Sequence, residues 1–142
     1  MAIEPTMPPG YVYGSGHDVI TETFAAGGDV DFGAPVWAAD DGRVATAADT
    51  GELAGIALHT HAATGVGKYA EGDAVNVAIL GKIWSKAVGT VAIGDALEAV
   101  AGGVQTAGDG EAIGIARSAA DDGDPVVVHL NFTPTTKITG DQ

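Results

Sequence analysis

Gly51-Glu52-Leu53-Ala54-Gly55-Ile56-Ala57, followed later by Gly72-Asp73-Ala74-Val75-Asn76-Val77, decides the fold because the chain writes it twice. The second version is Gly110-Glu111-Ala112-Ile113-Gly114-Ile115-Ala116 followed by Gly123-Asp124-Pro125-Val126-Val127-Val128. Working outward, Val30-Asp31-Phe32-Gly33-Ala34-Pro35-Val36-Trp37-Ala38 and Gly42-Arg43-Val44 precede the first version. Val91-Ala92-Ile93-Gly94-Asp95-Ala96-Leu97-Glu98-Ala99 and Gly103-Val104-Gln105 precede the second in the same order. A unit of about 60 residues present only twice implies two related β lobes packed together, since a solenoid needs three or more units.

The local patterns say strand and turn. Val75, Val77 and Ile79 alternate with Asn76 and Ala78, and residues 126–130 are β-branched and short. Asp40-Asp41-Gly42 separates two apolar runs, and Gly-Asp pairs recur at 72–73, 94–95, 108–109 and 123–124, where tight turns would launch strands. Twenty-two glycines leave few helix-length windows uninterrupted, and each would cost about 1 kcal/mol inside a helix. The best helix candidate is 17–26, with Asp18 as N-cap. The expected architecture is therefore all-β, a compact two-lobed barrel or sandwich from an internal duplication with an extended N-terminal arm. Its divisions are an arm over 1–28, a duplicated body over 29–132 (first copy about 30–88, second about 89–132) and a tail over 133–142.

Composition narrows the function. The chain has 142 residues, enough for one domain of two half-domains, and its apolar content is mostly Ala and Val with only 6% aromatic residues, which suits a thin, finely packed core. Nineteen acidic against six basic residues give a net charge of -13, which repels nucleic-acid phosphates and anionic lipid. The absence of cysteine removes disulfides, thiolate nucleophiles and cysteine zinc sites. Residues 1–10 carry Glu4 and three prolines instead of a basic segment and an apolar run, so no signal peptide is expected, and no stretch approaches the roughly 18 apolar residues of a membrane span.

Candidate chemistry fails motif by motif. Residues 62–69 end in the Gly67-Lys68 of a phosphate loop, but Ala62 replaces the first glycine and Tyr69 the magnesium-binding hydroxyl, and Glu71-Gly72-Asp73 follows where a helix should begin. His59 and His61 would share one side of a strand, as a weak metal pair, with no spacing that selects a third ligand. Asp121-Asp122-Gly123-Asp124 lacks the ligand ladder of a calcium loop. None of Ser15, Ser85 and Ser118 lies in a nucleophile elbow, so no enzymatic activity and no cofactor are expected. Contact residues are more legible. Tyr11 and Tyr13 alternate on a proline-bearing arm that would lie on its own body or on a neighbour, and Lys82, Trp84 and Lys86 gather two of the six cations around a tryptophan.

The duplicated Gly-Glu-x-Ile-Gly-Ile-Ala and Gly-Asp-x-Val-x-Val strands resemble the cement or decoration proteins of tailed-phage capsids over residues 20–132. The resemblance implies a virion structural protein, made in the host cytoplasm, that binds the outer surface of the expanded shell and fastens neighbouring major capsid protein subunits. It also implies a homo-oligomer, a trimer more readily than a dimer. The chain departs from the duplicated pattern at 59–71, an insertion in the first copy only. Two other readings stand beside it. One is a head-fibre or receptor- or glycan-binding β module, told apart by binding to host cells or glycans in place of capsids. A lipoyl- or biotinyl-like carrier would share the turn before Val91, but it needs a lysine at a hairpin tip and none lies between residues 87 and 136.

Overall fold

Alternating small apolar residues punctuated by glycine turns form eleven strands in the computed structural model, which describes residues 7–13, 19–39, 41–46, 52–108 and 110–131. They are β1 (Ile20–Ala26), β2 (Val30–Asp31), β3 (Pro35–Ala38), β4 (Arg43–Ala45), β5 (Glu52–Ala57), β6 (Lys68–Tyr69), β7 (Ala74–Lys86), β8 (Ala96–Val100), β9 (Gly103–Thr106), β10 (Gly114–Ala116) and β11 (Pro125–Asn131). There is no helix among the described residues, and hence none long and apolar enough to cross a membrane. The 133–142 tail lies outside the described residues.

Nine strands form one sheet in the order β1-β4-β3-β5-β7-β11-β10-β8-β9. Because β1 also pairs with β7, the first five close into a barrel with no free edge. The second lobe continues from the same β7 through β11, β10, β8 and β9, and a parallel bridge between Ala87 and Val104 spans its last gap. The 13-residue β7 is thus shared: Ala74–Leu80 faces β1 and Leu80–Lys86 faces β11. Each lobe has its own core. Val30, Val36, Val44, Ala57, Tyr69, Val75 and Val77 pack in the first, and Ile83, Leu97, Val104, Val126, Val128 and Leu130 in the second.

The duplication is visible bond by bond. Gly33 N–H donates to Ala57 O and Gly94 N–H to Ala116 O, while Ala57 N–H donates to Ala34 O and Ala116 N–H to Asp95 O. Ala26 N–H donates to Asp73 O and Ala87 N–H to Asp124 O, and Gly72 and Gly123 return N–H groups to Ala26 O and Ala87 O. Ala26 ends β1 and Ala87 follows β7, so β1 does for the first lobe what the second half of β7 does for the second. The structural unit therefore starts at β1, about ten residues before the repeat legible from Val30. Residues 20–26, inside the stretch read as arm, are a stave of the barrel, and the helix expected over 17–26 is not formed there: Ile20–Ala26 is extended and pairs with β7 along its length. Ile20, Thr21, Glu22 and Thr23 are exposed on both faces of the strand and only Ala26 is buried, so the segment carries no period-2 alternation to mark it as a strand.

Glycine is required where the two halves of each unit approach. A Cβ on Gly55 would stand 2.1 Å from Ala78 O and one on its counterpart Gly114 2.3 Å from His129 O. The Gly-Ile-Ala motif is therefore a close-approach device. The Gly-Asp turns have a different origin: Gly72, Gly94 and Gly123 occupy the third position of turns closed by Asp73, Asp95 and Asp124 N–H groups, with φ near +90°.

Candidate functional site

The sequence's contact candidates converge where the arm crosses β7. Residues 10–13 add to the sheet: Gly10 N–H donates to Trp84 O at 2.7 Å, Tyr13 N–H to Lys82 O at 2.9 Å, and Trp84 N–H to Tyr11 O at 2.8 Å. Val12 bridges antiparallel to Ile83. The described part of the arm therefore lies on its own body as an added strand. Tyr13 packs its ring against Trp84 with centroids 6.0 Å apart, and Trp84 is only 6% exposed. Trp84 is thus a covered anchor of the arm, with Lys82 half-buried and Lys86 exposed on either side of it along β7.

Tyr11 turns to the other lobe. Its ring stacks on His59 at 4.5 Å and 21°, and His59 N–H donates to Gly10 O at 2.8 Å. Phe32 meets His59 and Tyr69 edge-on at 4.9 and 5.3 Å, and His61 meets His59 edge-on at 4.7 Å. This chain of rings runs from the arm into the first core, and Tyr69 ends it as a fully buried side chain whose hydroxyl donates to Leu58 O. Burial raises the Tyr69 phenol above its ordinary value, partly opposed by the Asn76 N–H directed at its oxygen. The perpendicular rings of His59 and His61 are engaged with aromatic neighbours, and no cluster of three potential metal ligands occurs among the described residues.

The 59–71 insertion is a braced loop. The Asp73 carboxylate accepts from Thr64 N–H at 2.7 Å, Ala70 N–H at 2.9 Å and the Thr64 hydroxyl at 2.9 Å. The Thr64 N–H first, and then the Ala70 N–H, hold its carboxyl below the usual carboxylate range. Lys68, on β6, pairs with Asp29 at 3.0 Å, and this contact raises its ammonium pKa. β6 itself pairs with β2, through Val30↔Tyr69 and Asp31↔Lys68. Residues 62–69 therefore lead into a strand, with no helix N-terminus to hold a phosphate. The loop carries Val66 at its tip between Gly65 and Gly67, 97% exposed.

The two described serines are tied to backbone. Ser85, the one fully buried polar side chain among the described residues, donates to Gly33 O at 2.6 Å and so joins the shared strand to the first lobe, while Ser118 Oγ accepts from Val127 N–H at 2.9 Å. What the surface offers is contact: strand edges already filled, aromatic rings locking the arm down, and exposed apolar and basic side chains on rigid supports. The sequence did not mark Phe32, Tyr69, Thr64 and Asp73 as a group, because their contacts join positions that only the barrel brings together.

The fold is an all-β body of two lobes on one shared strand, with the described part of the arm added to it as a strand. A family model described as structural cement protein (E217 gp24/Pam3 gp6) matches residues 4–131, and the chain belongs to that family. It is a phage structural protein with a place in the virion capsid. Among solved structures, the N base of the head fibre gp8.5 of bacteriophage phi29 is similar, with a TM-score of 0.59 at 19% identity, covering 80% of this chain and 94% of that one. That likeness shows the shared fold. No curated protein matches the chain in sequence.

Proposed function

We propose that the protein binds the outer surface of the phage shell and stabilises the expanded lattice by bridging neighbouring major capsid protein subunits, acting as a homo-oligomer, a trimer in preference to a dimer. It is made in the host cytoplasm and joins the particle there. Membership of the cement family over residues 4–131 carries this reading. The physics supports it: the first lobe is a barrel closed by β1–β7 pairing, the second is built on the same β7, and each copy bound adds stability to the lattice by mass action, multiplied when an oligomer grips several subunits at once. Tyr11, Tyr13, Lys82, Trp84 and Lys86 remain the contact region in this proposal, with Trp84 and the tyrosines fixing the arm and the two lysines facing outward.

The test is to mix purified protein with expanded empty shells, sediment them and measure saturation stoichiometry. Saturable binding at a fixed ratio to coat subunits supports the proposal and reports the symmetry of the site. Binding to unexpanded and expanded shells alike, or to neither, would overturn it. The fold likeness to a head-fibre base supports a second reading, attachment of a fibre or of a receptor- or glycan-binding module. In that case the protein would bind host cells while leaving shell stability unchanged.

A further inference from the structure

Lys82 and Trp84 lie on a stretch of β7 whose edge no body strand covers. On that side β1 pairs with β7 only as far as Leu80, and β9 rejoins it only at Ala87, through the bridge to Val104. Between the two, the arm supplies the strand. Without it, Trp84 N–H, Trp84 O, Lys82 O and the neighbouring His59 N–H would lose their backbone partners Tyr11 O, Gly10 N–H, Tyr13 N–H and Gly10 O. An unpaired edge beside a tryptophan is what an added peptide strand binds, with main-chain hydrogen bonds holding it and side-chain contacts selecting it.

The selection is narrow. Gly10 is buried at φ +97°, and a Cβ there would stand 2.8 Å from Phe32 Cβ, 3.0 Å from His59 N and 3.1 Å from Gly33 N. A Cβ on Gly33 would in turn stand 2.4 Å from Pro9 Cβ. The two glycines face each other across a slot that admits only bare backbone. Tyr11 N–H reaches Pro8 O at 3.4 Å, so Pro9 and Gly10 are the central residues of a turn that this pair also favours in a free chain. Beyond the turn, Tyr11 stacks on His59 and Tyr13 packs on Trp84.

The walls of the slot stand on bonds that do not involve the arm. Lys82, Ile83 and Trp84 are in register with His129, Val128 and Val127 of β11. Gly33 N–H donates to Ala57 O, and Gly33 O accepts from the buried Ser85 hydroxyl. His59 follows Leu58, whose N–H donates to Asn76 O and whose carbonyl accepts from the Tyr69 hydroxyl. The connection is also longer than the seat needs. Tyr13 lies at Lys82 and Ile20 opposite Leu80, about 7 Å apart along β7, whereas the residue steps from 13 to 20 would reach up to about 23 Å.

We propose that this slot is a strand-acceptor site that works without the arm's covalent attachment, and that it takes the Pro-Gly-Tyr-x-Tyr segment of a second copy in place of the copy's own. The tethered arm holds the slot in dilute solution. Exchange is favoured where copies are held side by side, because the neighbour's arm then competes at a similar local concentration. The inference goes beyond the capsid reading and does not depend on it.

The test keeps the full chain and empties the slot from the arm side. Gly10→Val, which cannot seat against Phe32, and Tyr11→Ala combined with Tyr13→Ala, which removes both rings, are each expected to stay folded with tryptophan emission shifted to the red. A synthetic peptide of residues 7–13, capped at both ends, is expected to bind each variant saturably at one to one and to return the emission toward its wild-type position. The same peptide carrying Gly10→Val should bind at least about tenfold more weakly. With a second copy as donor, Gly33→Ala, whose own slot is blocked but whose arm is intact, mixed with full-length Gly10→Val should give a one-to-one complex in analytical ultracentrifugation that neither variant forms alone. Loss of the folded body in either arm variant would overturn the proposal, since the walls would then depend on the arm. So would an emission unchanged from wild type, no saturable response to the peptide, equal binding of the control peptide, or no mixed complex. No shells enter these measurements, so their failure leaves the capsid reading standing, and a failure to bind shells leaves this site standing.

Discussion

Replacing Gly114 by alanine tests the close approach on which both lobes are built. The new Cβ would lie 2.3 Å from His129 O, 3.0 Å from His129 C and 3.2 Å from Leu130 Cα, all backbone atoms that cannot swing away. Relief requires β10 and β11 to part by about an ångström, which takes hydrogen bonds of ordinary length past the distance at which they hold. β10 has only three residues, each paired with β11, so it has no reserve of pairing to spread the displacement. Overpacking costs about 1–3 kcal/mol. One or two weakened ladder bonds add about 1 kcal/mol each, for a destabilisation of roughly 3 kcal/mol. Guanidinium unfolding followed by tryptophan fluorescence would show a lower midpoint at unchanged slope, and thermal unfolding a drop of roughly 10 °C. Gly55→Ala should behave alike, because its Cβ meets Ala78 O at 2.1 Å. Gly72→Ala is the control: its φ of +90° is unfavourable for alanine but nothing lies within 4 Å, so strain alone costs about 1–2 kcal/mol. If Gly114→Ala cost no more than Gly72→Ala, the close-approach argument would be refuted.

Three further outcomes are expected. Ser85→Ala leaves the buried Gly33 carbonyl without its 2.6 Å donor and should destabilise by about 1–3 kcal/mol in the same unfolding assay, whereas a change under about half a kcal/mol would show that the inter-lobe bond is dispensable. Deleting residues 2–13 uncovers Trp84 and should shift its emission to the red with loss of the ordered arm, while an unshifted spectrum would contradict the packing of Tyr13 on Trp84. Because the folded Asp73 carboxyl is held below its ordinary value, its contribution is present above the unfolded carboxylate pKa of about 4 and is lost as pH falls through the lower folded value. Amide exchange at Thr64 and Ala70 should therefore speed up in acid beyond the intrinsic rate, and Asp73→Ala should remove that dependence, whereas a parallel pH profile in the variant would place the brace elsewhere.

Much of this architecture is legible in the sequence, for reasons particular residues show. Gly-Ile-Ala and Gly-Asp survive duplication because Gly55 and Gly114 admit no side chain and Gly72, Gly94 and Gly123 need positive φ, so the repeat appears where backbone geometry forbids drift. The first stave of each unit escapes notice because Ile20–Ala26 and the second half of β7 are held mainly by backbone pairing, which fixes no residue type, and agree chiefly at Ala26 and Ala87. Gly81 likewise disguises β7 as two short strands. At the site, Tyr11, Tyr13, Lys82 and Trp84 stand out by composition. That the first pair lies on the second depends on a contact between distant positions that no local pattern encodes.

Whether the protein fastens the capsid is read most directly from the disruption temperature of expanded empty shells with and without saturating protein. Bound protein is expected to raise that temperature, with the increase tracking occupancy and abolished by deletion of residues 2–13 together with Lys82→Glu and Lys86→Glu. Saturable binding that left the shells as fragile as before would contradict the claim and identify an attachment role instead.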